Sequence, residues 1–360
     1  MWINNQSSQD DFILLGFLDC PWLETPLFVI FLVAYNFALL GNISIILVSC
    51  LDPQLDIPMY FFVSNLSLTD LCYTTCTVPQ ILVNLRGKGK TIGYGGCVAQ
   101  LYFFLALGST ECILLAIMVF DHYAAVCKPL HYRIIMSQRH CIHMATGTWI
   151  SGFANSLVQS TLIVVVPQCG HRVIDHFFCE VPALLKLACA DTHVNEAELN
   201  VLGTLLLLVP RTLILGTYVL IAQAIMRIHS VESRWKSFNT CASHLLVVSL
   251  FYFTAISMYV QPPSSYSHDR GKIMALFYGI ITPTLNPFIY TLMNKDVKAA
   301  LRRALTKSFG SRGDDLWKGD PRSTDRCVFL PERILGMEVM REWYVKCHRV
   351  HRWSRTGKKQ

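Results

Sequence analysis

Seven stretches, each about 20 residues long and apolar enough to cross a hydrocarbon core of ~30 Å, restrict the fold of this chain more than any other feature. They begin near Thr25, Ile57, Cys97, His140, Glu198, Phe238 and Lys272. Residues 27–48 and 145–168 hold no charged side chain, so both pass a hydropathy test unaided. Hydrophobic residues make up 52% of the sequence and charged ones 15%, a balance too apolar for an ordinary soluble domain. The expectation is an all-α membrane protein: a seven-transmembrane helix bundle over residues 25–294, with residues 1–24 outside. A short amphipathic helix over 295–307 follows the seventh span, with Val297, Ala300, Leu301 and Leu305 on one side. Residues 308–360 read as a basic, largely disordered tail.

Charge sets the orientation. No Lys or Arg precedes Arg86, so the first span, which reads as an uncleaved signal anchor, gives no signal of its own. With the amino terminus outside, the cytoplasmic loops hold Lys128, Arg133, Arg139, Arg227, Arg234 and Lys236, a bias that favours this orientation. Asn5-Gln6-Ser7 is an acceptor for N-glycosylation at Asn5, which requires the same side to be lumenal or extracellular. The formal charge of +7 is the sum of +8 in residues 301–360 and −1 elsewhere, and a basic tail suits anionic inner-leaflet lipid as well as it suits plain solvation.

Three cysteines, Cys169, Cys179 and Cys189, fall in one long outer loop, and Cys97 opens the third span. A loop of that length needs covalent order, and four cysteines allow three pairings. His171, His176 and Cys179 offer soft-metal ligands, but disulfide formation by Cys179 is the better reading, and no metal site is expected. Cys50, Cys72 and Cys112 read as small packing residues. His244, with Cys241 three positions earlier, reads as a hydrogen-bonded helix histidine rather than a metal pair. Arg211 in the fifth span either snorkels or points inward.

At the end of the third span the chain reads Met118-Val119-Phe120-Asp121-His122-Tyr123-Ala124-Ala125-Val126-Cys127-Lys128-Pro129-Leu130-His131-Tyr132. This resembles the signature of vertebrate odorant receptors, within the rhodopsin-like G-protein-coupled receptors. Four further blocks stand in the expected order: Gly41-Asn42, Pro58 to Ser67, Lys236 to Leu245, and Pro283-Thr284-Leu285-Asn286-Pro287-Phe288-Ile289-Tyr290. The resemblance covers roughly residues 10 to 307. It implies a multi-pass plasma-membrane receptor whose outer half holds a small volatile molecule and whose inner half engages a heterotrimeric G protein of the stimulatory olfactory type, raising cyclic AMP. The expected bridges are Cys97–Cys179 and Cys169–Cys189.

Bundled as in that family, Phe104, Leu105, Gly108 and Ser109 of the third span share one face. Leu202, Gly203 and Leu206, then Tyr252, Ala255, Ile256 and Tyr259, then Leu276 and Gly279 close an apolar pocket with it. Ser109, Tyr252 and Tyr259 are the candidate donors to an odorant oxygen. Asp70 and Glu111 are carboxylates at membrane depth and need partners. The resemblance maps both onto an ion and water site, with a sodium ion as the candidate cofactor; the other reading is protonation with hydrogen bonds to Asn42 or Asn286. Asp121, His122, Tyr123, Tyr218, Asn286, Pro287 and Tyr290 are the expected coupling and switch residues.

The chain departs from the pattern at four places. The family's Asp-Arg-Tyr is Asp121-His122-Tyr123, which removes a permanently charged guanidinium and casts doubt on coupling. Gly216-Thr217-Tyr218 keeps only the tyrosine of the usual Ser-Tyr. Phe251-Tyr252-Phe253 replaces the usual Phe-Tyr-Gly, and the tail runs some 50 residues beyond the usual end. A receptor-like chain with impaired coupling is therefore the alternative reading. A transporter is disfavoured because the halves show no internal similarity. No nucleophile, base and orienting group can be assembled, so no enzyme is expected, and nucleic-acid binding would rest on the basic tail alone.

Overall fold

Helices account for nearly all of the computed structural model, which describes residues 11–16, 21–87, 90–170, 172–259 and 268–314. The long ones are α1 (Glu24–Leu51), α2 (Pro58–Arg86), α3 (Tyr94–Cys127), α5 (Gln138–Val164), α7 (His193–Met226) and α8 (Val231–Tyr259). α9 (His268–Leu276) and α10 (Thr282–Met293) form a seventh long segment, joined by a π turn at Phe277–Ile281. Short helices α4 (Tyr132–Ile135) and α6 (Val181–Leu185) lie in the connections, and α11 (Lys295–Asp314) follows the bundle. Asn5 and residues 315–360 lie outside the described residues.

Five of the long segments are long and apolar enough to cross a membrane, those of α1, α3, α7, α8 and α9–α10. α2 and α5 are 29 and 27 residues long but more polar, so the expectation that residues 145–168 pass a hydropathy test unaided is not met, polar side chains lowering the average. Their polar side chains face inward: Ser64, Asn65, Ser67, Thr69, Asp70, Thr74 and Thr77 of α2 are all buried, as are Thr148, Ser156, Gln159 and Ser160 of α5. Many of these hydroxyls bond back to the carbonyl four residues earlier, as Thr69 does to Asn65 and Thr77 to Tyr73, so they are satisfied without water. By contrast α1 and α7 expose Val29, Ile30, Val33, Leu40, Leu205, Leu213 and Val219 to the surroundings, a surface suited to lipid rather than water.

Pro58 starts α2, where its missing N–H costs nothing and Ile57 before it is extended. Prolines inside helices free carbonyls, and neighbours from other helices take them up. Pro287 leaves the Pro283 carbonyl without its usual donor, and Asn42 Nδ2 of α1 donates to it at 3.3 Å. Pro210 does the same to Leu206, whose carbonyl accepts from the Cys112 thiol of α3 at 2.6 Å. Cys112 is thus more than a packing residue. Two glycines allow the closest approaches. A Cβ on Gly41 would lie 2.8 Å from the Pro287 ring, and one on Gly152 would run into Thr110 Oγ1 and lie 2.7 Å from the Ala106 carbonyl.

The expectation of an all-α chain needs correction at one end of the bundle, where three short strands form a sheet in the order β2-β1-β3. β1 (Asp11–Leu14) pairs antiparallel with β2 (Thr91–Gly93) and parallel with β3 (Val173–Ile174). Phe12 and Leu14 point alternately into the bundle and are buried against Ile92, Cys97, Leu101 and Ile174. The amino-terminal segment is therefore part of a cap. Its strands are too short to register as a pattern, and their partners lie far along the chain.

At the other end, α11 runs to Asp314, past the expected end at residue 307. Its apolar face is turned to protein: Val297 and Ala300 are buried against Val48, Leu55 and Tyr60. Arg303 forks onto Asp52 at 2.6 and 3.0 Å, and Tyr60 bonds Asn294 at 3.2 Å. Arg211, by contrast, is exposed on α7.

Candidate functional site

Both expected bridges are present: Cys97–Cys179, with Cα atoms 5.4 Å apart, and Cys169–Cys189, at 5.9 Å. The first pins the loop between α5 and α7 to the start of α3, and the Cys179 amide donates to Gln100 Oε1 at 2.9 Å. The loop is also tied to the seventh segment. Lys272 is buried and reaches Asp175 at 2.5 Å and the Gly16 carbonyl at 2.9 Å, joining three parts of the chain. His176 Nε2 lies 3.0 Å from Glu180 Oε1, and Tyr278 donates to the other oxygen of Glu180 at 3.5 Å. A crevice between the amino-terminal segment, α1 and α2 opens beside this cap, lined by Gly16, Leu27, Ile81, Asn84, Lys90 and Phe177, and none of the expected pocket residues borders it.

Beneath the cap the expected pocket residues divide among three neighbourhoods. Phe104, Gly108, Leu276 and Gly279 surround an aromatic cluster in which Phe104 meets Tyr73, Phe178 and Tyr278 at 4.8, 4.9 and 5.3 Å between centroids. A Cβ on Gly279 would touch Tyr73, Phe104 and Phe178, and one on Gly108 would touch Tyr73, so both glycines make room for the rings. Tyr252 and Ala255 are buried deeper, with Ile256 packed at the edge of the same cluster. Leu105 turns towards Cys97, Ile163 and Leu184 under the sheet. Leu202, Gly203 and Leu206 are half-buried. Tyr259 closes α8, and its side chain lies outside the described residues.

Of the candidate donors, Tyr252 is engaged within the protein, donating to the Cys112 carbonyl at 2.9 Å, whereas Ser109 accepts from Asn155 Nδ2 at 2.9 Å. Asn155, Tyr73, Phe178 and Tyr278 were not anticipated. Phe178 lies beside Cys179 in the loop between α5 and α7, and the disulfide together with the bond from Cys179 to Gln100 holds that loop against α3.

At the centre of the bundle Asn286 Nδ2 donates to Asp70 Oδ2 at 2.9 Å. Asp70, Glu111, Asn286 and Asn42 are all buried. Asp70 Oδ1, Glu111 Oε1, Asn286 Oδ1, Asn42 Oδ1 and the Tyr290 hydroxyl have no hydrogen-bond partner among the described residues. Orphaned oxygens of this kind, two of them on carboxylates, form the donor set that a hard cation or water takes. They fit a sodium ion chemically, whereas no group of three or more His, Cys, Asp or Glu ligands is found among the described residues.

At the end of the bundle away from the sheet, Asp121 Oδ1 accepts from Tyr132 of α4 at 2.9 Å. Burial first, then the Asp121 charge, pushes the Tyr132 phenol well above its usual range, so it remains a donor. His122 is buried, and its ring meets His244 of α8 edge-on with centroids 5.0 Å apart. His244 Nδ1 bonds the Tyr218 hydroxyl of α7 at 2.8 Å, so the expected hydrogen-bonded helix histidine is present. Tyr123 packs with Ile221, Ile225 and Cys241, and Lys128 sits over its ring at 6.0 Å. The third, fifth and sixth long helices thus converge on three side chains.

Residues 31–308 match the family model described as olfactory receptor. The chain is 62% identical to human olfactory receptor 2B2 over 85% of its own length and 86% of that protein's. Mouse olfactory receptor 2B6 is 58% identical over 86% of this chain and 98% of the relative, and human putative olfactory receptor 2B3 is 58% identical over 85% and 97%. With a match over most of its length and relatives well above half identity, this multi-pass plasma-membrane chain is no enzyme and belongs to the olfactory receptor family, odorant-sensing receptors that couple to G proteins.

Proposed function

We propose that the chain spans the membrane seven times with its amino terminus outside, holds a small volatile molecule among the outer halves of α3, α7, α8 and α9, and activates the stimulatory olfactory G protein to raise cyclic AMP. The observation that carries this reading is the bond from Asn286 to Asp70 at 2.9 Å, set beside the internal proline Pro287 of α10. A π turn, an internal proline and a polar side chain in adjacent turns give this segment two available arrangements of its backbone bonds, a bistable element between the outer aromatic cluster and the inner histidine pair. The aromatic cluster of Tyr73, Phe104 and Tyr278 lies on one side of that element and supports an apolar ligand site there.

Asp70, Glu111 and Asn286 would hold a sodium ion, whose charge stabilises the buried carboxylates when it is bound. α11, seated on Tyr60 and Leu55, would lie along the inner membrane surface with its basic residues towards the headgroups. Asn5 would carry the glycan on the outer side.

The test is a cyclic AMP screen of cells expressing the receptor against a chemically diverse odorant panel, paired with surface staining of the amino terminus. A concentration-dependent response to at least one odorant is expected. A receptor that reaches the surface and answers no member of a broad panel would contradict the proposal.

A further inference from the structure

Between α3, α5 and α7 lies a polar patch whose members, Ser109 apart, none of the roles above uses. Asn195 Nδ2 of α7 donates to the Leu162 carbonyl of α5 at 2.8 Å, which fixes the level at which these two antiparallel helices meet. Three residues inward along α7 is Glu198, and three residues inward along α5 is Gln159. Each has moved about 4.5 Å deeper, so the two stand at one level. Glu198 also shares a helix face of α7 with Asn195, Leu202 and Leu206, of which Asn195 is buried and the other three are half-buried. Gln159 Nε2 donates to Asn155 Oδ1 at 3.4 Å, and Asn155 in turn donates to Ser109, so the patch continues to α3.

The chemistry of this patch is one-sided. Glu198 Oε1, Gln159 Oε1 and Ser160 Oγ are each shielded from the surroundings and have no hydrogen-bond partner among the described residues. Gln159 and Ser160 are buried, 4% and 6% exposed. Two of the three atoms can only accept, and one belongs to a carboxylate. A buried acceptor left without a donor is costly, so the patch favours a ligand that brings donors. We propose that Glu198, Gln159 and Ser160 form a polar subsite that takes the hydroxyl or protonated amino end of an otherwise apolar ligand, whose chain extends along Leu202 and Leu206 towards the aromatic cluster. This rests on the receptor reading and narrows it to hydrogen-bond-donor odorants, alcohols and amines, with Glu198 as the acceptor that favours the amine.

Octanol, octylamine, octyl methyl ether and octane share a chain and differ in the donor. Each would be assayed by cyclic AMP in cells and by thermal stabilisation of the purified receptor, with wild type, Glu198→Gln and Gln159→Met. Octanol and octylamine should act at concentrations about tenfold or more below the ether and octane, the worth of one charge-assisted hydrogen bond. Glu198→Gln should weaken octylamine by about tenfold and octanol less, while Gln159→Met should weaken both. Equal potency across the four compounds, preference for the ether, no stabilisation by any of them, or an unchanged octylamine response in Glu198→Gln would overturn the subsite. If the variants do not reach the surface, the wild-type preference still decides. Stabilisation with the expected preference but without cyclic AMP would instead uphold the subsite and count against the signalling reading.

Discussion

His122 and His244 meet edge-on across α3 and α8, ring centroids 5.0 Å apart at 89°. The second ring is held by Tyr218 at 2.8 Å. The family pattern puts arginine at position 122, and a guanidinium offers five directed donors where an imidazole offers at most two. His122→Arg is expected to raise agonist-evoked cyclic AMP several-fold at matched surface expression. No gain would show that the histidine is not what limits coupling.

Asp70 binds Asn286 through one oxygen and leaves the other, with Glu111 Oε1, unpartnered among the described residues. If sodium sits there, exchanging external sodium for a larger organic cation should raise agonist potency in the wild type. Asp70→Asn should abolish that dependence. Potency that ignores sodium in both proteins would rule the ion out.

Tyr252 donates to the Cys112 carbonyl, so its hydroxyl joins α8 to α3. Tyr252→Phe should therefore reduce the response to oxygenated and hydrocarbon agonists alike, with a stability loss of about 1 kcal/mol for the bond removed. Dose-response curves for both ligand types separate this from a direct ligand contact, which would spare the hydrocarbons.

Gly152 faces Thr110 and the Ala106 carbonyl, where a methyl group has no space. Gly152→Ala must push α5 away from α3, at a cost of about 1–3 kcal/mol. Surface expression and the melting temperature of the purified receptor should both fall. Gly147→Ala, at a glycine with nothing within 4 Å of the added carbon, is the control expected to change neither.

Lys272 joins the amino-terminal segment, the outer loop and the seventh segment through Gly16 and Asp175. Lys272→Met keeps the apolar stem but leaves the Gly16 carbonyl without this donor. A destabilisation of about 1–3 kcal/mol should follow, together with faster hydrogen exchange at β1. Exchange confined to other segments would argue that the cap is held by its strands alone.

Much of this was legible in the sequence because it depends on local properties. Apolar run lengths gave the long helices, and the motif blocks placed Asn286, Pro287, Asp121 and His122 in the right elements. Both disulfides followed from the family resemblance. Hydropathy was least informative for α2 and α5, whose buried polar residues lower the average while facing inward.

Side-chain direction and distant partners were decided only by the tertiary structure. Leu105 and Phe104 are adjacent in sequence yet pack in different clusters, because successive helix residues point about 100° apart. Phe178 joins the aromatic floor because Cys179 beside it is held on α3, by the bridge to Cys97 and the bond to Gln100. β1 exists only where β2 and β3 supply its hydrogen bonds, since so short a strand has no stability alone. The sequence by itself determined a membrane helix bundle of the olfactory receptor family. Which donors are already engaged, which acceptors remain orphaned, and that His122 faces His244 were settled by packing, because a hydrogen bond or ring contact depends on where a second chain segment arrives.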